Sequence, residues 1–506
     1  MEIIDFKRKN KYIDRIRERE IFPGGKILRI AGSDNGNQFT GRRENAPERV
    51  VAIMDAVTSF CGLCLLLIVG KILRMHVPLF QKLYLPSSVI GGGVGLLLIS
   101  VFGKQIPGNW TAGWGQIPSF LINVVFAGLF LGVATPGIRK IWKVTAPQLC
   151  YGQIVAWGQY LVGILVVVLL LKPLFHVEPA FAALIEMGFE GGHGTVAGLV
   201  NTFDEFGWTE GKDLGFSVAT VGMITGVVLG MWLVNLAVKR GWVKNIRLFE
   251  DQSHFERKGI YPDGKQPPAG KQTVASDSID SLALHVAIIG LAITLGYLIR
   301  ELLILINSVA PEGVRELKFL ASFPLFPLCM IGGLILQKLF TFLKMDYLID
   351  HGLMQRLAGT SLDFLVVAAV ASIRLEFVAA NWMPLTILCL AGVVWNVSLT
   401  LFLAPRIFNN AWFERAIAEF GQSSGVTATG LLLLRTVDPE NKTVAPEAFG
   451  YKQLLHEPIM GGGIWTSLAV SLLLTQGFSI VFFTTVIMLA FWLLFWFFVL
   501  RKGSYI

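Results

Sequence analysis

Two short segments place polar, chemistry-bearing residues inside apolar surroundings. GFEGGHGTVAGL (188–199) holds Glu190, Gly191, Gly192, His193, Gly194 and Thr195; FGQSSGVTATGL (420–431) holds Ser423, Ser424, Gly425, Thr427 and Thr429. Glycine clusters break a membrane helix or let backbones approach closely. Non-helical backbone at membrane depth survives where it is buried in protein or lines a wet cavity. Amides freed by such a break can hold a carboxylate. Freed carbonyls and hydroxyls can coordinate a sodium ion. Glycine alone would fit plain close packing, but polar groups at both matched places favour a solute site. His193 is read as a site residue or as a donor to tip carbonyls. Zinc chemistry with Glu190 and His193 would need further histidines, and His176 is the only close one.

The elements that position these segments follow from composition. The chain has 506 residues, 54% hydrophobic and 15% charged, against about 25% charged in soluble domains. Several apolar runs reach the roughly 20 residues that span a hydrocarbon core. This is an all-α polytopic membrane protein. The net charge of +8 fits basic cytoplasmic loops, and no motif supports nucleic-acid binding. The five cysteines read as packing residues. Helices are expected at 51–73, 84–102, 118–138, 149–171 and 214–238, then at 280–304, 320–343, 359–379, 382–404, 448–474 and 477–500. Interrupted elements cover 178–203 and 411–435.

The halves are similar. YLPSSVIGGGVGLLL (84–98) matches LFPLCMIGGLILQKL (325–339), with one 241-residue offset from Pro86 to Pro327 and from Gly91 to Gly332. Thr195 to Thr427 is an offset of 232. Basic residues follow the first helix (Lys71, Arg74, Lys82), the third (Arg139, Lys140, Lys143) and 214–238 (Lys239, Arg240, Lys244, Arg247). Placing those loops inside makes one element per half dip in and return, leaving five crossings and an inverted second half. The basic tail then falls outside. The domains are a polar basic tail (1–50, with a short helix near 14–20), a first repeat (51–238), a cytoplasmic linker loop (239–278), a second inverted repeat (279–475) and an extra C-terminal helix (476–506).

On GGHGT (191–195), SSGVTAT (423–429) and LPSSVIGGGVGLL (85–97), the sequence resembles the glutamate:sodium symporter family over roughly residues 51–474. The resemblance implies a homodimer in a bacterial cytoplasmic membrane, re-entrant loops, and an elevator-type architecture with a mobile domain beside a fixed one. It implies sodium as coupling ion, no other cofactor, no enzymatic activity, and glutamate or a related small anionic or zwitterionic solute. The binding set is Gly191, Gly192, His193, Gly194, Thr195, Ser423, Ser424, Gly425, Thr427 and Thr429, with Asp363 and Ser424 as sodium ligands. Three departures stand out: Ala428 replaces a proline, Glu190 a small polar residue, and Asp363 a serine. Charges at bilayer depth are costly and rarely idle. Glu190 and Asp363 are therefore coupling-ion candidates. The bland alternatives are a Glu190–His193 pair and an Asp363 ion pair with Arg374 or Arg435. Arg435 itself is expected to snorkel or to pair with Asp438. Rival readings are a proton-coupled carrier, a channel, and an intramembrane enzyme.

Overall fold

The computed structural model describes residues 46–83, 85–133, 138–243, 253–309, 323–439 and 442–501. The expected helix near residues 14–20 lies outside them. Contacts divide the chain into Met1–Val50 and Val51–Ile506, and the second unit is described here. It is all-helical, with no strand among the described residues.

The principal helices are α1 Ala46–His76, α2 Ser87–Phe102, α3 Ile117–Gly128, α4 Ile138–Val166, α5 Gly192–Glu205, α6 Gly211–Arg240 and α7 Ser281–Val309. They continue as α8 Leu325–Phe342, α9 His351–Ala371, α10 Trp382–Ser398, α11 Trp412–Val437, α12 Ala445–His456, α13 Ile464–Gln476 and α14 Phe478–Phe495. Among the described residues, eight segments are long and apolar enough to cross a membrane, and α2, α3 and α13 are shorter apolar helices. Several expected bounds shift, and the helix expected at 149–171 begins at Ile138. The run expected at 118–138 ends as helix at Gly128, and the one expected at 359–379 runs Ala371 backward to His351. The helix expected at 448–474 is two helices, because Pro458 and Gly461–Gly463 divide it.

Two groups of helices form. In one, α9 packs on α2 and α3, and α8 packs on α3 and α7. In the other, α4 packs on α10, α12 and α14, and α6 on α11. The groups meet where α5 lies against α3 and α9. Small residues bring α5 close to that group: a Cβ at Gly194 would lie 2.7 Å from Ile122 Cδ1 of α3, and one at Gly198 would overlap the Phe326 ring of α8.

Close packing also matches between the halves. Gly91 of α2 lies against Leu66 O of α1, and Gly332 of α8 against Ala292 O of α7. The adjoining Gly92 meets Val370 of α9, while Gly333 meets Ala127 of α3. Helices α4 and α10 each end in a π turn, Val167–Leu171 and Leu399–Leu403, followed by a Pro-containing helical turn. The π turn widens the helix by one residue and spares the backbone groups that proline cannot pair.

One end of the molecule carries the loop after α6. Lys71 Nζ donates to Gly259 O at 2.6 Å, and a Cβ at Gly270 would meet Leu353 and Asp350 beside the start of α9. Asp350 caps α9 by accepting from Leu353 N at 2.9 Å. At the other end of α9, Arg374 grips Asp213 at 2.8 Å, with Nη2 also donating to Thr209 O. Of the five free cysteines, Cys150, Cys329 and Cys389 are buried, whereas Cys61 lies on an exposed face.

Candidate functional site

Three chain breaks converge between the helix groups. The first precedes α5: a π turn at Glu186–Glu190 ends at Gly191, and Gly192 turns with φ +67°. The second divides α11, where Gly425 and Val426 leave helical geometry and Val426 takes φ +66°. The halves of α11 then run back along each other as a helical hairpin. A Cβ at Gly421 would lie 2.6 Å from Gly430 Cα, and Phe413 and Ile417 share a cluster with Leu433 and Val437. A β-branched residue at positive φ costs about 1–3 kcal/mol and persists only where surroundings impose it. The surroundings are the first break: a Cβ on Gly192 would overlap Val426 Cγ1. The third break, at Gly461–Gly463, lies against the first. The one proton of Thr195 Oγ1 is shared between Gly191 O at 3.0 Å and Gly461 O at 3.2 Å.

Behind the breaks lies a buried polar framework built largely on α4. Glu186 is fully buried; it accepts from Tyr160 Oη at 2.6 Å and from Gly461 N and Thr466 Oγ1 at 2.8 Å. Glu190 Oε1 meets His456 Nε2. Trp157 Nε1 donates to Gln153 Oε1, so Gln153 Nε2 faces His456 Nδ1 as a donor. That leaves the His456 proton on Nε2, directed at Glu190. Glu190 Oε2 is buried without a hydrogen-bond partner. Lys452 and Glu419 form an ion pair at 2.7 Å, both fully buried, and Gln148 Nε2 donates to the second Glu419 oxygen at 3.0 Å. Gln159 Nε2 and Asn396 Nδ2 donate to Ser423 O at 2.6 and 2.8 Å.

The structure brings most of the sequence-predicted residues to these breaks. Ser423 Oγ donates to Glu419 O, Ser424 Oγ accepts from Asn396 Nδ2 at 3.0 Å, and Thr429 Oγ1 donates to Gly425 O. All three are buried, as are Gly192, Gly194 and Gly425. His193 meets Thr220 Oγ1 at 2.9 Å and stacks on Phe216; its partner is neither Glu190 nor a tip carbonyl. Asp363 stands apart, exposed on α9 and beside Ser88 of α2, and shares no described hydrogen bond with Ser424. Arg374 pairs with Asp213 rather than Asp363. Asp438 accepts from Lys442 N, Thr443 N and Thr443 Oγ1, while Arg435 is exposed.

Thr427 alone of the binding set lines a cleft of about 480 Å³ between α3, α9, α11 and α12. Its hydroxyl donates to Glu457 Oε1 at 2.9 Å and accepts from Gln453 Nε2 at 2.7 Å. Sequence reading missed Glu186, Glu419, Lys452, Gln453, His456 and Glu457. Their signal was charge and amide inside apolar helices.

A sequence model of the family described as Sodium/glutamate symporter matches residues 52–430. Two curated proteins named Sodium/glutamate symporter, from Escherichia coli (strain K12) and Shigella flexneri, are each 22% identical over 393 residues. Each alignment covers 76% of this chain and 89% of the relative. The family match ends within α11, before α12 and the third break.

Proposed function

Because the chain belongs to the sodium/glutamate symporter family, it is a multi-pass transport protein of the plasma membrane and not an enzyme, and we propose that it couples sodium entry to uptake of glutamate or a related small solute. The observation that carries this reading is the meeting of two helix breaks, Gly192 against Val426, beside a cleft that reaches Thr427. Broken helices that meet between repeats are the usual setting of a solute site in secondary transporters.

The finer architecture is part of the proposal. Residues 51–238 and 279–475 are inverted repeats, joined by a cytoplasmic loop at 239–278, with 1–50 a polar basic tail and 476–506 an extra C-terminal helix. The matched glycine contacts of α1–α2 and α7–α8, and the paired π turns of α4 and α10, support that symmetry. The α11 hairpin supports a re-entrant element. Transport then consists of the α4–α6 and α10–α14 group sliding past the other in an elevator motion, with the smooth Gly194–Gly198 face of α5 at the sliding surface. The solute lies at the breaks, contacted by Thr427 and by amides of Gly191–Thr195 and Ser423–Thr429. Sodium takes oxygen ligands near Ser424, with Asp363 completing a site as the group moves. The protein works as a homodimer of the bacterial inner membrane.

Proton coupling is a second reading. It is favoured by Glu190, whose Oε2 is unpartnered in a buried position against His456. Purified protein in proteoliposomes tests both. Labelled glutamate accumulating under a sodium gradient, and not without it, is the expected result. Accumulation driven by a pH gradient alone selects the second reading, and glutamate flux without saturation selects a channel.

A further inference from the structure

We infer that a diacyl phospholipid with a phosphoethanolamine headgroup binds along α6, at the boundary between the two helix groups. This is a second ligand, distinct from the solute, and the site stands whichever solute is carried.

Three hollows adjoin at this place. An apolar recess of about 520 Å³ lies between α2, α6 and the end of α9, with Val89, Gly93 and Leu97 on its far wall. A second apolar recess, of about 300 Å³, lies between α6 and α10. Ser217 and Val221 line both. Thr220 and Ile224 line only the first, and Val218 and Thr225 only the second. Residues four apart on a helix are neighbours, so Ser217 and Val221 make one ridge that parts two apolar channels. Val221 is exposed on that ridge. Two channels astride a ridge fit the two chains of a diacyl lipid. The third hollow, of about 400 Å³, carries polar groups and is reached past Ile373 and Leu375, which also line the first recess. It lies at the Arg374 end of the molecule, and an exposed Trp382 stands at the second recess. Tryptophan collects at the level of lipid headgroups.

The polar hollow sorts into donors and acceptors. Lys212 Nζ reaches its edge, 3.4 Å from where a Cβ on Gly115 would lie, and Gly115 lines the hollow. Among the described residues this ammonium has no hydrogen bond or ion pair. Lys212 also stands in the first turn of α6, where a cation opposes the helix dipole and an anion beside it is welcome. Arg374 directs Nε and Nη2 at Asp213 and Thr209 O, and its Nη1 makes no hydrogen bond among the described residues. Ser100 and Ser372 donate to Leu96 O and Ala369 O, which leaves their oxygens as acceptors. Glu376 is an exposed carboxylate on the same wall. With Arg374 neutralised by Asp213, Lys212 and Glu376 balance one another. A headgroup with one negative and one positive charge, the positive one bearing N–H donors, matches this set. Its phosphate meets Lys212 and Arg374, and its ammonium meets Glu376 and the serine oxygens. An anionic headgroup would face Glu376 with no cation to offer it.

The position gives the lipid a role. Thr220 lines the first recess and meets His193 Nε2 at 2.9 Å, next to the first break. Gly222 and Gly226 of the same helix lie against Ser424 of the second break. Acyl chains in the recesses therefore support α6 where it touches both breaks. They also bridge α2 and α9 of one helix group and α6 and α10 of the other.

The test uses the full-length protein, purified in detergent and stripped of lipid. Native mass spectrometry and melting temperature are read as phospholipids of equal chain length are added. Phosphatidylethanolamine is expected to raise the melting temperature and to be retained about 10-fold or more over phosphatidylglycerol, the size of one charge-assisted hydrogen bond. Lys212→Ala is expected to lower that retention about 10-fold, and Lys212→Arg to restore it. Glu376→Gln abolishes the preference, so that phosphatidylglycerol is retained as well as phosphatidylethanolamine. Gly93→Leu fills the first recess, where a Cβ meets nothing within 4 Å, and displaces the lipid. Each variant should melt like the unaltered protein when no lipid is added, so that lost retention reports the site. If Gly93→Leu does not fold, the Lys212 and Glu376 variants decide alone. Equal retention of the two lipids by the unaltered protein overturns the inference. So does a preference that survives both Lys212→Ala and Glu376→Gln. Stabilisation by soluble glycerophosphoethanolamine equal to that by the lipid would remove the two recesses from the site and overturn it as well.

Discussion

The two helix breaks correspond in sequence and differ in surroundings. The first, at Gly191–Gly192, is sealed. Its carboxylates are buried, and Glu186 is satisfied by a tyrosine, an amide and a threonine. The second, at Gly425–Val426, continues into Thr427, which opens on a cleft. The same glycine-rich device is thus enclosed by a buried polar framework on one side and reaches a cleft on the other. Polar residues near a break do not by themselves mark contact with solute; access does.

That contrast yields predictions that separate stability from transport. The largest effect is expected from the framework. Lys452→Met strands Glu419 in a fully buried site, and breaking such a pair costs about 3–5 kcal/mol. A marked fall in the melting temperature of purified protein is expected. The double change with Glu419→Gln should recover much of it; no recovery would show that the pair is not the cause. Next comes the junction of the breaks. Gly192→Ala adds a Cβ at positive φ, about 1–2 kcal/mol, and drives it into Val426. Uptake should fall with stability, whereas Gly207→Ala, at φ +77° with open space around it, should bear only the backbone cost. Third, Thr427→Val should lower stability by only about 0.5–1.5 kcal/mol yet abolish uptake. The smallest effect is expected at Gly290, on the exposed face of α7 with nothing within reach of a Cβ. Gly290→Ala should raise helix stability by up to about 1 kcal/mol and leave uptake unchanged. A large loss there would mean that this face is covered, as it would be in a dimer.

Much of the architecture was legible in the sequence because membrane helices need long apolar runs, and the Pro-Gly-Gly segments of α2 and α8 announce close packing. The break at 457–463 was missed, although PIMGGG (458–463) carries a proline and three glycines. Apolar residues on both sides masked it as one helix. The sites proved harder than the breaks. GGHGT and SSGVTAT mark where the chain turns, but partners such as Glu190–His456 and Thr427–Glu457 lie far apart in sequence. His193 illustrates the limit, since its partner Thr220 sits in an apolar stretch of α6 with no signal of its own. Charged residues within helices, Glu419 and Lys452 above all, carried a signal of costly burial that the sequence reading passed over. With whom they pair is fixed only by the fold.

The most direct measurement is sodium-driven accumulation of labelled glutamate by proteoliposomes containing the unaltered protein or Thr427→Val, with folding checked by melting temperature. The account predicts accumulation in the first and none in the second, at nearly equal stability. Equal uptake by both would contradict it and remove Thr427 and its cleft from the transport path.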